Sequence, residues 1–208
     1  MTTNSHYIAG WKTQHDWDSF KNELMIDGTH DKWEKAYSDY LIPRLNLRYL
    51  NPVKILQEHG TFQGEGFSIM TILCSLVEFL ESTYQGKIYK HVQRGQQLGQ
   101  NEYSSSKTMF ISFLENRAPF KTEFVNGLAT EFYSSIRCGL LHEATTKNGW
   151  RIWAKSPNGK IVNQTEKIIY RDDFEKAINK YIEDYGQKLQ SSADLQRSFI
   201  IKFDDLKN

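Results

Sequence analysis

Residues 121–143 read KTEFVNGLATEFYSSIRCGLLHE, and within them Phe124, Leu128, Phe132, Ile136 and Leu140 recur every four residues, with Val125 and Ala129 alongside. That period lays one apolar stripe along a helix, so the segment from Lys121 to about Glu143 is predicted to be helical with its stripe against a core. A second strong pattern runs from Gly66 to about Tyr84. There Phe67, Ile69, Met70, Ile72, Leu73, Leu76, Val77, Phe79 and Leu80 leave few polar sides. A helix apolar around most of its girth is central in its domain. Two such helices decide for a mainly α architecture.

Shorter patterns fill in around them. Asp16 to Ile26 carries Trp17, Phe20, Leu24 and Met25 at helical spacing, and Thr29 to Leu41 reads as a helix that Pro43 should end. Asn51-Pro52 looks like a cap followed by proline at the first helical position, opening a helix to about His59 that closes at Gly60. Gly86 is the expected stop of the apolar helix, and Lys107 to Glu115 reads as another short helix. Trp150 to Ala154 alternates like a strand, Ser156-Pro157-Asn158-Gly159 has turn chemistry, and Lys160 to Val162 would return as the second strand, with Lys167 to Tyr170 a third. Asp172 and Glu175 have capping-box spacing ahead of Phe174, Ile178, Tyr181, Ile182 and Tyr185. The expectation is a single domain over residues 1–208, a helical bundle with a β-hairpin at about 149–170 inserted before the last long helix. The final 20 residues show no clear pattern.

The chain has 208 residues, enough for one well-filled core. Its 26 basic and 25 acidic side chains leave a net charge of +1, which excludes a protein whose whole surface is a polyanion trap. Any nucleic-acid contact must come from a local patch. Cys74 and Cys138 cannot make a disulfide scaffold and lack zinc-site spacing, so they read as reduced, packed thiols of a cytoplasmic protein. The N-terminal residues have no basic or apolar region of a signal peptide. Phe67 to Leu80 is interrupted by Ser68, Thr71, Ser75 and Glu78, too short and too polar to span a bilayer. No membrane partner is expected.

Phosphate-loop, dinucleotide, nucleophile-elbow and zinc-protease motifs are all absent. One string remains: Phe132-Tyr133, then Arg137-Cys138-Gly139-Leu140-Leu141-His142-Glu143. Its Arg-x4-His arrangement resembles the HEPN superfamily, and the likeness extends to bacterial HEPN-like proteins in which such a string precedes a Gly-Trp-Arg-Ile-like strand, here Gly149 to Ile152. The resemblance is specific over roughly Phe132 to Ile152 and architectural elsewhere. It implies a small helical fold and a metal-independent ribonuclease of a toxin–antitoxin, phage-defence or stress system. No cofactor is implied. Cleavage would leave a 2′,3′-cyclic phosphate and a 5′-hydroxyl, from a homodimer with its motifs face to face, and the further partner would be an antitoxin or defence-system protein. Cys138 stands where many catalytic members carry Asn or Asp.

The residue chemistry agrees with that implication. Metal-free RNA cleavage needs a base for the 2′-hydroxyl, an acid for the leaving oxygen and a cation for the phosphorane. Histidine exchanges protons near neutral pH, and arginine offers a permanent planar fork to phosphate. His142 would be the general acid/base and Arg137 the phosphate ligand. Two structural readings stand beside this one: Arg137 paired with Glu78 or Glu81 of the other central helix, and His142 satisfying the last carbonyls of its own. Five helical residues put Arg137 and His142 roughly 140° apart. A compact site therefore needs a loosened helix near Gly139 or a second protomer, with Thr130, Tyr133 and Leu141 on the face a partner would cover.

Two stretches hold no acid. Ala144 to Gln164 carries Lys147, Arg151, Lys155 and Lys160 with Trp150 and Trp153 interleaved, and Ser82 to Asn101 carries Lys87, Lys90 and Arg94. Lys147, Trp150, Arg151, Lys155, Lys87, Lys90 and Arg94 are accordingly the expected RNA contacts, with one tryptophan in the core as the competing reading.

Overall fold

Pro43 and Pro52 both lie inside a helical run rather than at its ends. A computed structural model describes residues 7–61, 63–93 and 95–206, and in it helical backbone runs from His30 to His59. Two π turns interrupt the α ladder, at Tyr37–Leu41 and Asn46–Leu50, and a proline follows two residues after each. The reason is local. A proline has no N–H to give to the carbonyl four residues back, and a π turn already shifts donors to the fifth residue back, so the missing bond costs little there. The expectation that Pro43 ends the helix is corrected accordingly.

The chain forms two units. One comprises residues 7–50, 82–104 and 184–206. In it Tyr7–Ala9 pairs antiparallel with Lys12–Thr13, and Thr13 caps the helix Gln14–Lys21 through a capping box with Asp16. Trp17 is fully buried, its ring 5.2 Å from that of Tyr40 and 5.3 Å from that of Phe203. Its Nε1–H donates to Asp204 at 2.8 Å. The helix Ala193–Asp205 lies in the stretch without clear periodicity, and buries Leu195, Phe199 and Phe203. Ile88–Tyr89 and Glu102–Tyr103 form a short parallel pair. Gly86 ends the apolar helix as expected, in the left-handed region at φ +61°.

The other unit comprises Asn51–Glu81 and Ser105–Glu183. The helix Glu65–Gln85 supplies Ile69, Met70, Leu73, Leu76 and Val77 to its core, all fully buried. By length and composition that helix could cross a membrane, but more than half of its most apolar part is buried inside the fold. Leu128, Phe132, Ile136 and Leu140 are buried as their period requires, and Phe124 is buried from ahead of the helix. Phe132 stacks on Phe174 with ring centres 5.7 Å apart, and Phe120 meets Phe113 and Phe174 at 5.1 Å each.

The helix carrying that stripe starts later than predicted. Asn126 (φ +55°) and Gly127 (φ +82°) turn the chain left-handed, and regular helix begins at Leu128. Asn-Gly is a turn signal that the apolar period overrode.

The sheet also differs from the expected hairpin. Arg151–Trp153 pairs parallel with Ile168–Tyr170, and Val162–Asn163 pairs antiparallel with that same central strand. The first strand therefore never pairs with residues 160–163. Side-chain carboxylates take the donors that such a ladder would use: Glu123 accepts from the N–H groups of Ile161 and Val162 at 2.9 and 3.2 Å, and Asp173 from that of Ser156 at 2.7 Å. With those donors capped, residues 162–163 pair on their other side.

Candidate functional site

The helical run Leu128–Glu143 contains a π turn at Tyr133–Arg137, where the N–H of Cys138 bonds the carbonyl of Tyr133. Widened turns of this kind gather at functional positions. This one ends on the arginine of the motif. Tyr133 and Arg137 lie over one another, with the guanidinium 5.2 Å from the ring centre.

A polar cluster forms around Arg137. Its Nη2 donates to Ser106 Oγ at 3.1 Å and lies 3.9 Å from Glu78 Oε2, while Ser106 donates to Glu78 in turn. Tyr133 lies beside Ser106 and Cys138, and burial pushes its phenol above the ordinary tyrosine range. Burial pushes the thiol of Cys74 up to about 12, against the opposing charge of the nearby Arg137. The Arg137 side chain is 20% exposed, and of its five donors one makes a hydrogen bond to Ser106 at normal distance. Sequence reasoning found Glu78 as a partner for Arg137 but missed Ser106. The only sign of Ser106 was the Ser104-Ser105-Ser106 run, whose Ser105 caps the helix Ser106–Asn116.

His142 is exposed in the last turn before Ala144, which caps the helix left-handed at φ +53°. Among the described residues its side chain bonds to neither Arg137 nor a carbonyl. The two motif residues therefore share a helix but not a pocket within one chain. Thr130 is exposed and Leu141 is 54% exposed, whereas Tyr133 is half-buried with its ring 5.5 Å from that of Phe110. Of the three residues expected on a dimer face, Thr130 and Leu141 are exposed and Tyr133 is half-buried.

Gly139 and Ser135 join this helix to the next segment. The chain doubles back so closely that Lys147 N–H bonds Ser135 carbonyl at 2.8 Å and Asn148 Nδ2 donates to Ser135 Oγ at 2.9 Å. Just beyond, Trp150 is 2% exposed, and its Nε1–H donates to Glu131 at 3.0 Å. Its expected role as an RNA stacking surface is corrected: the ring is core, packed near Phe132. Trp153 is the accessible tryptophan at 47% exposure, with the Arg151 guanidinium 5.5 Å from its ring. Trp150→Phe should destabilise the fold by about 1–3 kcal/mol in urea titration, because the smaller ring leaves core volume unfilled and the indole bond to Glu131 is lost. Trp153→Ala, which removes a half-exposed ring, should cost less.

The acid-free strips are acid-free only along the chain. Lys147 pairs with Glu143 at 2.5 Å, and Lys90 pairs with Glu102 at 2.8 Å. Lys87 donates to the Gln100 carbonyl, and Arg151 to that of Glu166 at 3.1 Å. Lys155 is exposed, and among the described residues it has no acidic partner. Arg94 lies outside the described residues. Lys87 and Lys90 belong to one unit, and Lys147, Trp150, Arg151, Lys155 and the motif to the other. No cluster of three or more His, Cys, Asp and Glu side chains among the described residues could hold a metal ion.

Comparison with known proteins adds no relative: no protein-family model matches the chain, and neither a curated protein nor a solved structure matches it.

Proposed function

We propose that the chain is a HEPN-like, metal-independent endoribonuclease that acts as a homodimer in bacterial defence or stress. The observation that carries this reading is the pair of motif residues on one helix. His142 is exposed and uncommitted, and Arg137 ends a π turn with donors to spare. In the proposed reaction the 2′-hydroxyl gives its proton to a histidine and attacks the phosphorus, and the P–O5′ bond breaks as a proton reaches the leaving oxygen. One His142 cannot stand on both sides of the phosphate, and a second copy supplies the other. Arg137 binds the charge that develops on the non-bridging oxygens. A cytoplasmic enzyme of this kind needs restraint, for which an antitoxin or other defence-system protein is the proposed partner.

A second reading rests on the Arg137–Ser106–Glu78 contacts: a non-catalytic module in which Arg137 and His142 are structural and a protein or nucleotide is bound. One experiment separates the two. Mixed single-stranded RNA is incubated with the protein in EDTA, beside folded Arg137→Ala and His142→Ala variants. The nuclease predicts cleavage by the wild type and a loss of about 10²–10³-fold in each variant. Cleavage that survives both substitutions, or none by the wild type, removes the catalytic reading. A strictly monomeric sedimentation profile at micromolar concentration removes the dimer.

A further inference from the structure

One cavity in the motif's own unit is rich in uncommitted hydrogen-bonding groups. It measures about 460 Å³, within the usual range of a small-ligand cleft, and lies between the turn after Phe120–Thr122, the 157–160 turn and the 163–165 turn. Pro157 gives it an exposed apolar wall with the edges of the buried Leu128 and Tyr170 behind, and Lys160, Asn158, Gln164 and Thr165 line much of the rest.

Most of these groups have spare capacity. Gln164 and Thr165 are exposed and make no side-chain hydrogen bond among the described residues, and Lys160 has no acidic partner among them. Asn158 spends its oxygen on Ser156 Oγ and the Lys160 N–H, which leaves its two amide donors. The one carboxylate in the lining, Glu123, is already held by the two backbone N–H groups of the sheet. The cleft therefore offers a cation, amide edges with donors and acceptors, and an apolar face. An unpaired nucleotide needs those three things: a contact for phosphate, partners for a base edge, and a surface for its flat face.

Leu128 and Arg137 lie on the same helical run, nine residues apart, or about 14 Å along the axis. Nine helical residues also set them well apart around the axis, so a strand joining the two must pass around the helix as well as along it.

We infer that this cleft is a base-recognition subsite for single-stranded RNA, seating an unpaired nucleotide a few positions from the phosphate at Arg137. The inference rests on the ribonuclease reading but not on catalysis, because it concerns binding. The test is fluorescence anisotropy of labelled oligo(U), oligo(A) and oligo(C) with wild type, Gln164→Ala, Lys160→Ala and Arg137→Ala. The wild type should discriminate among the three oligomers. Gln164→Ala should lose about tenfold for the preferred one, the size of one side-chain–base pair, and erase the preference. Lys160→Ala should weaken all three, and Arg137→Ala should leave the preference intact. RNA bound by Gln164→Ala and Lys160→Ala with wild-type affinity and order overturns the subsite alone. No binding of any oligomer by the wild type overturns the subsite and the RNA reading together.

Discussion

Arg117→Ala is expected to cost about 3–5 kcal/mol of folding stability, a large share of what holds a chain of this size together. Glu81 is completely buried. Its two oxygens accept from Arg117 Nε and Nη2 at 2.8 Å each, and Oε1 also accepts from Ser112 Oγ at 2.7 Å. The geometry is the planar fork that suits guanidinium to carboxylate. A buried ion pair adds little net stability over an apolar pair, but removing one half strands the other in a medium that cannot solvate it. Arg117→Ala should therefore be worse than Glu81→Gln, which removes the charge and keeps much of the shape. The Glu81→Gln/Arg117→Ala double variant should recover part of the loss. Urea unfolding of the full chain reads all three. A loss below about 1 kcal/mol for Arg117→Ala would falsify the claim that Glu81 depends on it.

That pair illustrates what could not be read from the chain. Arg117 and Glu81 are far apart in sequence, and nothing in their local pattern joins them. The expected partner of Glu78 or Glu81 was Arg137, and Arg137 does approach Glu78. The apolar stripes were legible because burial acts residue by residue with the period of the helix. Phe132, Ile136 and Leu140 are core for that reason. The interruptions were less legible. Pro43 and Asn126-Gly127 carry turn chemistry whose outcome depends on which carbonyl a donor reaches, and π turns have no composition of their own.

The sheet was misread for a related reason. Alternation and the Pro-Asn-Gly turn were correctly placed, but pairing is a competition for backbone donors. Glu123 and Asp173, from outside the strands, decided it. Spatial neighbours of the charge strips were likewise invisible along the chain. Glu102 and Glu143 flank them in sequence and come back onto Lys90 and Lys147 in space. Of the candidate site, the identity of Arg137 and His142 came from spacing and resemblance. That Arg137 is held by Ser106, and that Trp150 is core while Trp153 is half-exposed, depends on contacts between segments distant in sequence.

Gly139→Ala should be the most damaging single-methyl change in the motif helix. Helix propensity alone predicts a gain of about 1 kcal/mol, since alanine is the better helix former. The surroundings reverse the sign. A Cβ at Gly139 would stand 2.4 Å from the Thr145 carbonyl oxygen and 3.3 Å from Lys147 Cγ. The lysine stem can move, but the carbonyl cannot do so freely, because the Lys147 N–H and the Asn148 side chain pin the same loop to Ser135. Relief requires the loop to lift, breaking those bonds and loosening the approach to Trp150. The net cost should be about 2–3 kcal/mol after the propensity gain, in the range of overpacked interiors. Ser135→Ala, which removes only the Asn148 bond, should cost about 1 kcal/mol. The glycine of the Arg-Cys-Gly-Leu-Leu-His string is thus explained by the returning loop, independently of any chemistry at Arg137 or His142. If Gly139→Ala is neutral or stabilising in urea titration, the loop is not held as described, and the string's glycine must owe its place to the motif residues themselves.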